Sequence, residues 1–177
     1  MELQVNGVSR PIASPPLTSL LEVLREELDV VSPKVGCQQG ACGTCTVIID
    51  GEPRRSCLTP VAVLEGAEIT TVEGLGGPGN LAPVQGAFHQ HYAAQCGYCT
   101  AGMMMAAQAL IERSDGPVER EQVIEALGGH ICRCTGYVKI VDAVMAASRG
   151  EVDLAALDEL ITSEPSEPEI EIKGSPA

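Results

Sequence analysis

The chain has 177 residues and is 45% apolar, yet it holds one Phe, three Tyr and no Trp, so Val, Leu, Ile, Met and Ala must build its core. Its formal charge of -13, from 11 Lys and Arg against 24 Asp and Glu, excludes the basic face that nucleic acid or an anionic membrane surface requires. No basic stretch followed by an apolar one opens the chain. The longest apolar run, near residues 101–107, falls far short of the ~18 residues of a membrane helix, so a cytoplasmic protein is expected.

Residues 1–75 read as a small mixed sheet with one helix. Asn6-Gly7 marks a hairpin turn between strands at 3–5 and 8–12. Ser19 starts a helix with Glu22 three residues on, and Leu20, Leu21, Val23, Leu24 and Leu28 give it a buried stripe. Residues 47–49, the turn Asp50-Gly51 and residues 53–57 form a second hairpin, and 69–72 a last short strand. Residues 73–82 read as a linker. Gly74, Gly76 and Gly79 have dinucleotide-loop spacing, but Pro78 sits inside the turn and no helix opens at the last glycine.

Residues 83–149 read as all-helical, with helices near 83–91, 102–112, 119–127 and 138–148 joined by short loops, as in a bundle. Residues 150–177 form an acidic, Pro-rich extension: a short helix at 153–161, then a tail expected to be mobile.

Eight cysteines in a reducing compartment point to metal rather than disulfides. The first set is Cys37, Cys42, Cys45 and Cys57: C-x4-C-x2-C, eleven residues, then C. This is the plant-type spacing for a 2Fe–2S cluster. Three thiolates must converge from one tight loop, and Gly36, Gly40 and Gly43 let its backbone curl. The fourth arrives from the adjacent hairpin. The second set is Cys96, Cys99, Cys132 and Cys134: C-x2-C, thirty-two residues, then C-x-C. Cys99 is expected just before a helix, whose positive end favours a thiolate, and Cys132 and Cys134 in the loop before the fourth helix. Taken alone, this set fits zinc or an iron–sulfur cluster.

The arrangement of both sets, and the segments around seven of the eight cysteines, resemble the small iron–sulfur subunit of the molybdenum hydroxylases, the xanthine dehydrogenase and carbon monoxide dehydrogenase family. The segments are Gly36-Cys37-Gln38-Gln39-Gly40-Ala41-Cys42-Gly43-Thr44-Cys45, Gln95-Cys96-Gly97-Tyr98-Cys99 and Ile131-Cys132-Arg133-Cys134-Thr135-Gly136-Tyr137. The likeness spans about residues 1–149. It implies an α+β fold: a plant-type ferredoxin-like β-grasp domain (1–75) followed by a four-helix bundle (83–149), each holding one 2Fe–2S cluster. It implies two partners, a large molybdopterin-binding subunit and, beyond it, an FAD-binding subunit, with electrons crossing the bundle cluster and then the ferredoxin cluster. It also implies that Gln95 and Cys134 touch the pterin. Relatives often carry Pro after the second cysteine pair, where this chain has Thr100-Ala101-Gly102; Val138-Lys139 replaces a frequent Gln-Asn.

Other residues offer less. His89 and His91, two apart on a helix, face different ways. His130 adjoins the second set but is not needed as a ligand. Met103, Met104 and Met105 suit adaptable packing. Arg133 could offset cluster charge or form a surface ion pair. No nucleophile–base pair or paired carboxylates can be placed in a site, so no catalytic residue is assigned. The expected function is an electron relay in a molybdenum hydroxylase, against the alternatives of a free-standing two-cluster carrier or a zinc-stabilised module.

Overall fold

The computed structural model describes residues 1–163. The expected tail therefore lies outside the described residues from residue 164 onward.

The first half is a five-stranded sheet: β1 (Glu2–Val5), β2 (Val8–Pro11), β3 (Thr46–Ile49), β4 (Glu52–Arg55) and β5 (Glu68–Thr70), in the order β2-β1-β5-β3-β4. Only β1 and β5 run parallel; every other neighbouring pair is antiparallel. Asn6 and Gly7 adopt left-handed backbone at the β1–β2 turn, as do Asp50 and Gly51 at the β3–β4 turn, which is the conformation a two-residue hairpin needs.

One helix lies across the sheet. Ser19 accepts from the Glu22 amide at 3.3 Å and so caps α1 (Leu20–Glu22). The helix then widens into a π-helical turn over Val23–Glu27, closed by Leu28 N donating to Val23 O at 3.0 Å. Its stripe is buried as the periodicity predicts: Leu20, Val23, Leu24 and Leu28 pack on Leu3, Val5, Val47, Ile49 and Ile69.

Two boundaries differ from the sequence reading in the kind of structure that follows them. β4 stops at Arg55, and Cys57 sits in a 3-10 turn, Ser56–Leu58, because Ser56 folds back through its amide and hydroxyl onto the Cys45 carbonyl. The last strand ends at Thr70, and part of the expected linker is a helical turn, α2 (Val72–Leu75). There the Asn6 side chain accepts from Thr71 N at 2.8 Å and draws the chain out of the sheet. Glu73 then accepts from the Ser32 amide at 2.9 Å, the Ser32 hydroxyl at 2.5 Å and the Thr71 hydroxyl at 2.6 Å.

The second half is helical: α3 (Pro83–Gln90), α4 (Thr100–Glu112), α5 (Arg120–Leu127), α6 (Val138–Arg149) and α7 (Leu154–Thr162). Pro83 fits the first turn of α3, where no amide partner is needed, and Gly150 ends α6 in left-handed conformation. The core holds Phe88 with Val84, Met103, Ala106, Ala107, Val123, Leu127, Ile140 and Val144. α7 seats Leu154 and Leu157 against Gly86 of α3.

The two halves meet through α4, and that explains its composition. A helix apolar all round must be covered all round. Met103, Ala106 and Ala107 enter the helical core, while Met105 and Ala109 pack on Ile48 of β3. β3 is accordingly buried along its whole length: Val47 and Ile49 face α1, and Ile48 faces α4. Gly102 lets α4 approach the sheet half closely, because a side chain there would strike the Gly43 carbonyl oxygen and crowd the Thr44 Cα at 3.0 Å.

Gly102→Ala is therefore expected to cost about 1–3 kcal/mol, the usual penalty of overpacking against backbone that cannot yield. Gly116→Ala, whose added methyl meets nothing, serves as control. Urea unfolding of the two cluster-loaded variants checks this.

A second expectation concerns acid. Burial pushes the Glu73 carboxyl up, but the Ser32 and Thr71 hydrogen bonds outweigh it, so its folded pKa lies below 4.5. A lowered carboxylate pKa stabilises the fold above the unfolded value, and that contribution is lost as pH falls through the folded one. Glu73 is exposed, so solvent screens these contacts, and Glu73→Gln should cost no more than about 0.5–1 kcal/mol at neutral pH. The gap should close below about pH 4.5, as read by denaturant midpoints across pH.

Candidate metal centres

The loop at 36–45 brings three of the first four cysteines together. Gln38, Gly40 and Gly43 all take left-handed backbone, which turns the chain sharply around the thiols. Gly36 is needed for space: a side chain there would lie 2.7 Å from Cys42 Sγ and 2.8 Å from Thr44 Cγ2. Cys37 Sγ accepts from the amides of Gln39 and Cys42, and Cys42 Sγ from the amide of Cys37, all at 3.4 Å. Those amides, Gln39 first, lower the free Cys37 thiol to about 6. Cys45 is buried at the start of the sheet, and Cys57 reaches it from the 3-10 turn. Burial, then the Cys45 thiol, raises Cys57 to about 11.

The second set assembles from two loops of the helical half. Cys99 stands at the start of α4, with Cys96 before it, and Cys132 and Cys134 occupy the loop before α6. The Cys134 thiol contacts Cys96 Sγ at 3.5 Å. Cys99 meets Cys132. The expected thiolate stabilisation by the helix end does not prevail at Cys99: burial, then the Cys132 thiol, raises it to about 12. Burial also pushes Cys132 up but is outweighed by hydrogen bonds, chiefly from the Thr135 hydroxyl at 3.1 Å, so its thiol is lowered. The Cys132 amide donates to Tyr137 Oη at 2.8 Å, and Tyr137 Oη donates to the His130 carbonyl at 3.2 Å. Tyr137 holds left-handed backbone (φ 70°) to do this.

All eight cysteines are free thiols. Within each set they stand in contacting pairs: Cys37 with Cys42, Cys45 with Cys57, Cys96 with Cys134, and Cys99 with Cys132. Among the described residues, no three His, Cys, Asp or Glu side chains gather around one point as a single metal ion requires. Paired soft donors with amides aimed at sulfur suit a two-iron cluster, with two thiolates for each iron. One cavity of about 250 Å³ touches both sets, lined by Cys37 and Cys42 on one side and Cys96, Cys99, Cys132 and Cys134 on the other.

The remaining candidates separate clearly. Gln95 is exposed beside Cys96, and Cys134 is exposed as well. Arg133 is exposed, His89 is exposed and His91 half-buried. Met103 and Met105 are fully buried packing residues. His130 is buried, and its ring serves the seam between the halves. Arg55 Nη1, a donor only, approaches its Nε2 at 3.2 Å. Burial, then the Arg55 charge, lowers His130 to about 4, which keeps it neutral.

Further seam contacts were not anticipated. Arg55 Nη2 donates to Gly129 O at 2.8 Å, Thr44 Oγ1 to Tyr98 O at 2.7 Å, Tyr98 Oη to Val35 O at 2.5 Å, and Ile131 N to Cys42 O at 3.0 Å. Thr44, Tyr98 and Ile131 adjoin cysteines, which was a usable signal. Arg55, on an edge strand, carried none.

Comparison with known proteins agrees with this geometry. A 2Fe-2S iron-sulfur cluster binding domain matches residues 3–73, and a second 2Fe-2S binding domain matches residues 71–145. The chain is 46% identical over 147 residues to the nicotine 6-hydroxylase small subunit of Paenarthrobacter nicotinovorans, covering 83% of this chain and 88% of that one. It is 40% identical over 147 residues to the nicotinate dehydrogenase small FeS subunit of Eubacterium barkeri, covering 83% and 93%. Among solved structures, quinoline 2-oxidoreductase from Pseudomonas putida superposes with a TM-score of 0.78 at 43% identity, over 86% of this chain and 97% of that one. The mixed sheet and these matches make the fold α+β and ferredoxin-like.

Proposed function

The chain belongs to the small iron–sulfur subunits of the molybdenum hydroxylases, and from that footing we propose that it relays electrons from a large molybdopterin-binding subunit toward an FAD-binding subunit or another acceptor. The observation that carries this reading is the meeting of two four-thiol sets across one seam, joined where Ile131, next to Cys132, donates to the Cys42 carbonyl. Cys37, Cys42, Cys45 and Cys57 would hold one cluster, and Cys96, Cys99, Cys132 and Cys134 the other. When bound, a 2Fe–2S cluster supplies one-electron chemistry at a potential set by hydrogen bonds, charge and solvent exposure around its sulfurs. The amides of Gln39 and Cys42 offset negative charge at Cys37, and the Thr135 hydroxyl does so at Cys132. Buried Cys45 and half-buried Cys99 limit water at each set's inner edge.

We read α3 to α6 as a four-helix bundle, with the chain dividing into a ferredoxin-like domain (1–75), the bundle (83–149) and an extension (150–177). The Cys96 set would face the molybdenum subunit, since Cys96, Cys134 and Gln95 are its exposed members and neighbours. By the same reading, Gln95 and Cys134 approach the pterin. The assembly is taken to be cytoplasmic, where a reducing environment keeps thiols available for metal. Among the described residues, no helix is long and apolar enough to cross a membrane.

A serial order makes the two sets separable. In Cys42→Ser, substrate should still reduce the Cys96-set cluster while turnover with an external acceptor collapses. In Cys99→Ser, both should stop. Rapid mixing with substrate, followed by electron paramagnetic resonance, reads each variant. Full turnover in assembled Cys42→Ser enzyme lacking that cluster would show that the relay is not serial. Gln95→Ala should leave both clusters loaded yet slow reoxidation of the molybdenum subunit or weaken its binding; unchanged electron transfer and affinity would place Gln95 away from the cofactor.

A further inference from the structure

Arg55 lies at the end of β4, opposite Thr46 of β3, on the sheet face that meets the helical half. Its guanidinium bonds to both halves at once. Nε donates to Gly40 O at 3.3 Å, in the loop that carries Cys37, Cys42 and Cys45. Nη1 donates to Thr46 Oγ1 at 2.5 Å and to His130 Nε2 at 3.2 Å. Nη2 donates to Gly129 O at 2.8 Å, in the loop that leads to Cys132 and Cys134.

The groups it holds have little freedom of their own. The Thr46 hydroxyl also contacts His130 Nε2 at 3.0 Å and donates to Gly43 O at 2.6 Å. The His130 ring and the Gly129 carbonyl press on Gly43 so closely that a side chain there would meet them at 2.5 and 2.6 Å. A planar guanidinium presents its donors in a fixed fork, which lysine cannot reproduce. The contacts therefore define an angle and a spacing between two loops, which an unspecific apolar seam would not.

We propose that Arg55 is a cross-domain positioning residue: its guanidinium locks the loop bearing Cys37, Cys42 and Cys45 to the loop leading to Cys132 and Cys134, and so sets the coupling between the two iron–sulfur sites. The proposal rests on the reading that both cysteine sets hold clusters. Fixed positive charge on Arg55 has a second consequence. Each site gains negative charge on reduction, so a nearby cation favours the reduced state of both.

The test uses the intact multi-subunit enzyme. Iron and sulfide content and the two separate paramagnetic signals of the wild type report whether the clusters are present, independently of Arg55. With both clusters reduced, the magnetic splitting between them falls off steeply with separation and reads the spacing directly. Arg55→Met, loaded with iron like the wild type, should lose that splitting and shift both potentials downward. Arg55→Lys should restore the potentials in part, because the charge returns, but not the splitting, because the fork does not. Arg54→Gln, altering the exposed neighbour, should leave both as in wild type. Should the Arg55 variants fail to assemble, Thr46→Val removes the hydroxyl between Arg55 and His130 and should weaken the same splitting. Wild-type splitting and potentials in loaded Arg55→Met, or unaltered splitting in Thr46→Val when Arg55 variants do not assemble, would overturn the proposal. Absence of two cluster signals from the wild type would instead overturn the reading beneath it.

Discussion

Two cysteine-bearing loops press backbone to backbone across the seam between sheet and helices. The carbonyl of Gly43 lies where a side chain of Gly102 would otherwise sit, and Gly43 in turn leaves room for the ring of His130. Much of the architecture follows from that approach. β3 has to be buried on both faces, and α4 has to be apolar on both sides, because each is shared between a domain core and the seam. Polar groups enclosed there need partners, and Arg55, Thr46, Thr44 and Tyr98 supply hydrogen bonds rather than a continuous apolar surface.

The arrangement suits a relay more than a catalyst. Cys45 is buried and five of the other thiols are half-buried, whereas Cys96 and Cys134 are exposed. His130, buried at the seam, is held neutral by burial and by Arg55, whose Nη1 already faces its Nε2. It therefore supports the loops without exchanging protons at neutral pH. The hydrogen bonds that reach sulfur come from backbone amides and from Thr135, groups that tune a potential and take no part in bond making.

How much of this the sequence revealed depends on how local the cause was. Cysteine spacing identified both sets because three ligands of the first lie within nine residues and the second consists of two close pairs. The Asn6-Gly7 turn, the stripe on α1 and the four principal helices were legible from turn chemistry and 3.6-residue periodicity. The π-helical turn at Val23–Glu27 and the 3-10 turn at Cys57 were not, since tertiary contacts, such as Ser56 closing on Cys45, decide them. Helix-end electrostatics was expected to govern Cys99, but burial prevails there. Arg55 was invisible for a plainer reason: its partners Gly129 and His130 lie more than seventy residues away, and no periodicity or motif encodes that meeting.

The central claim is that two sets of four thiolates each hold a two-iron cluster. Iron, acid-labile sulfide and zinc analysis of the purified enzyme, joined to electron paramagnetic resonance of its reduced form, tests it most directly. The account predicts about four irons and about four sulfides per chain, with two distinguishable signals and no stoichiometric zinc. Two irons per chain, or one zinc in place of the second pair of irons, would contradict it.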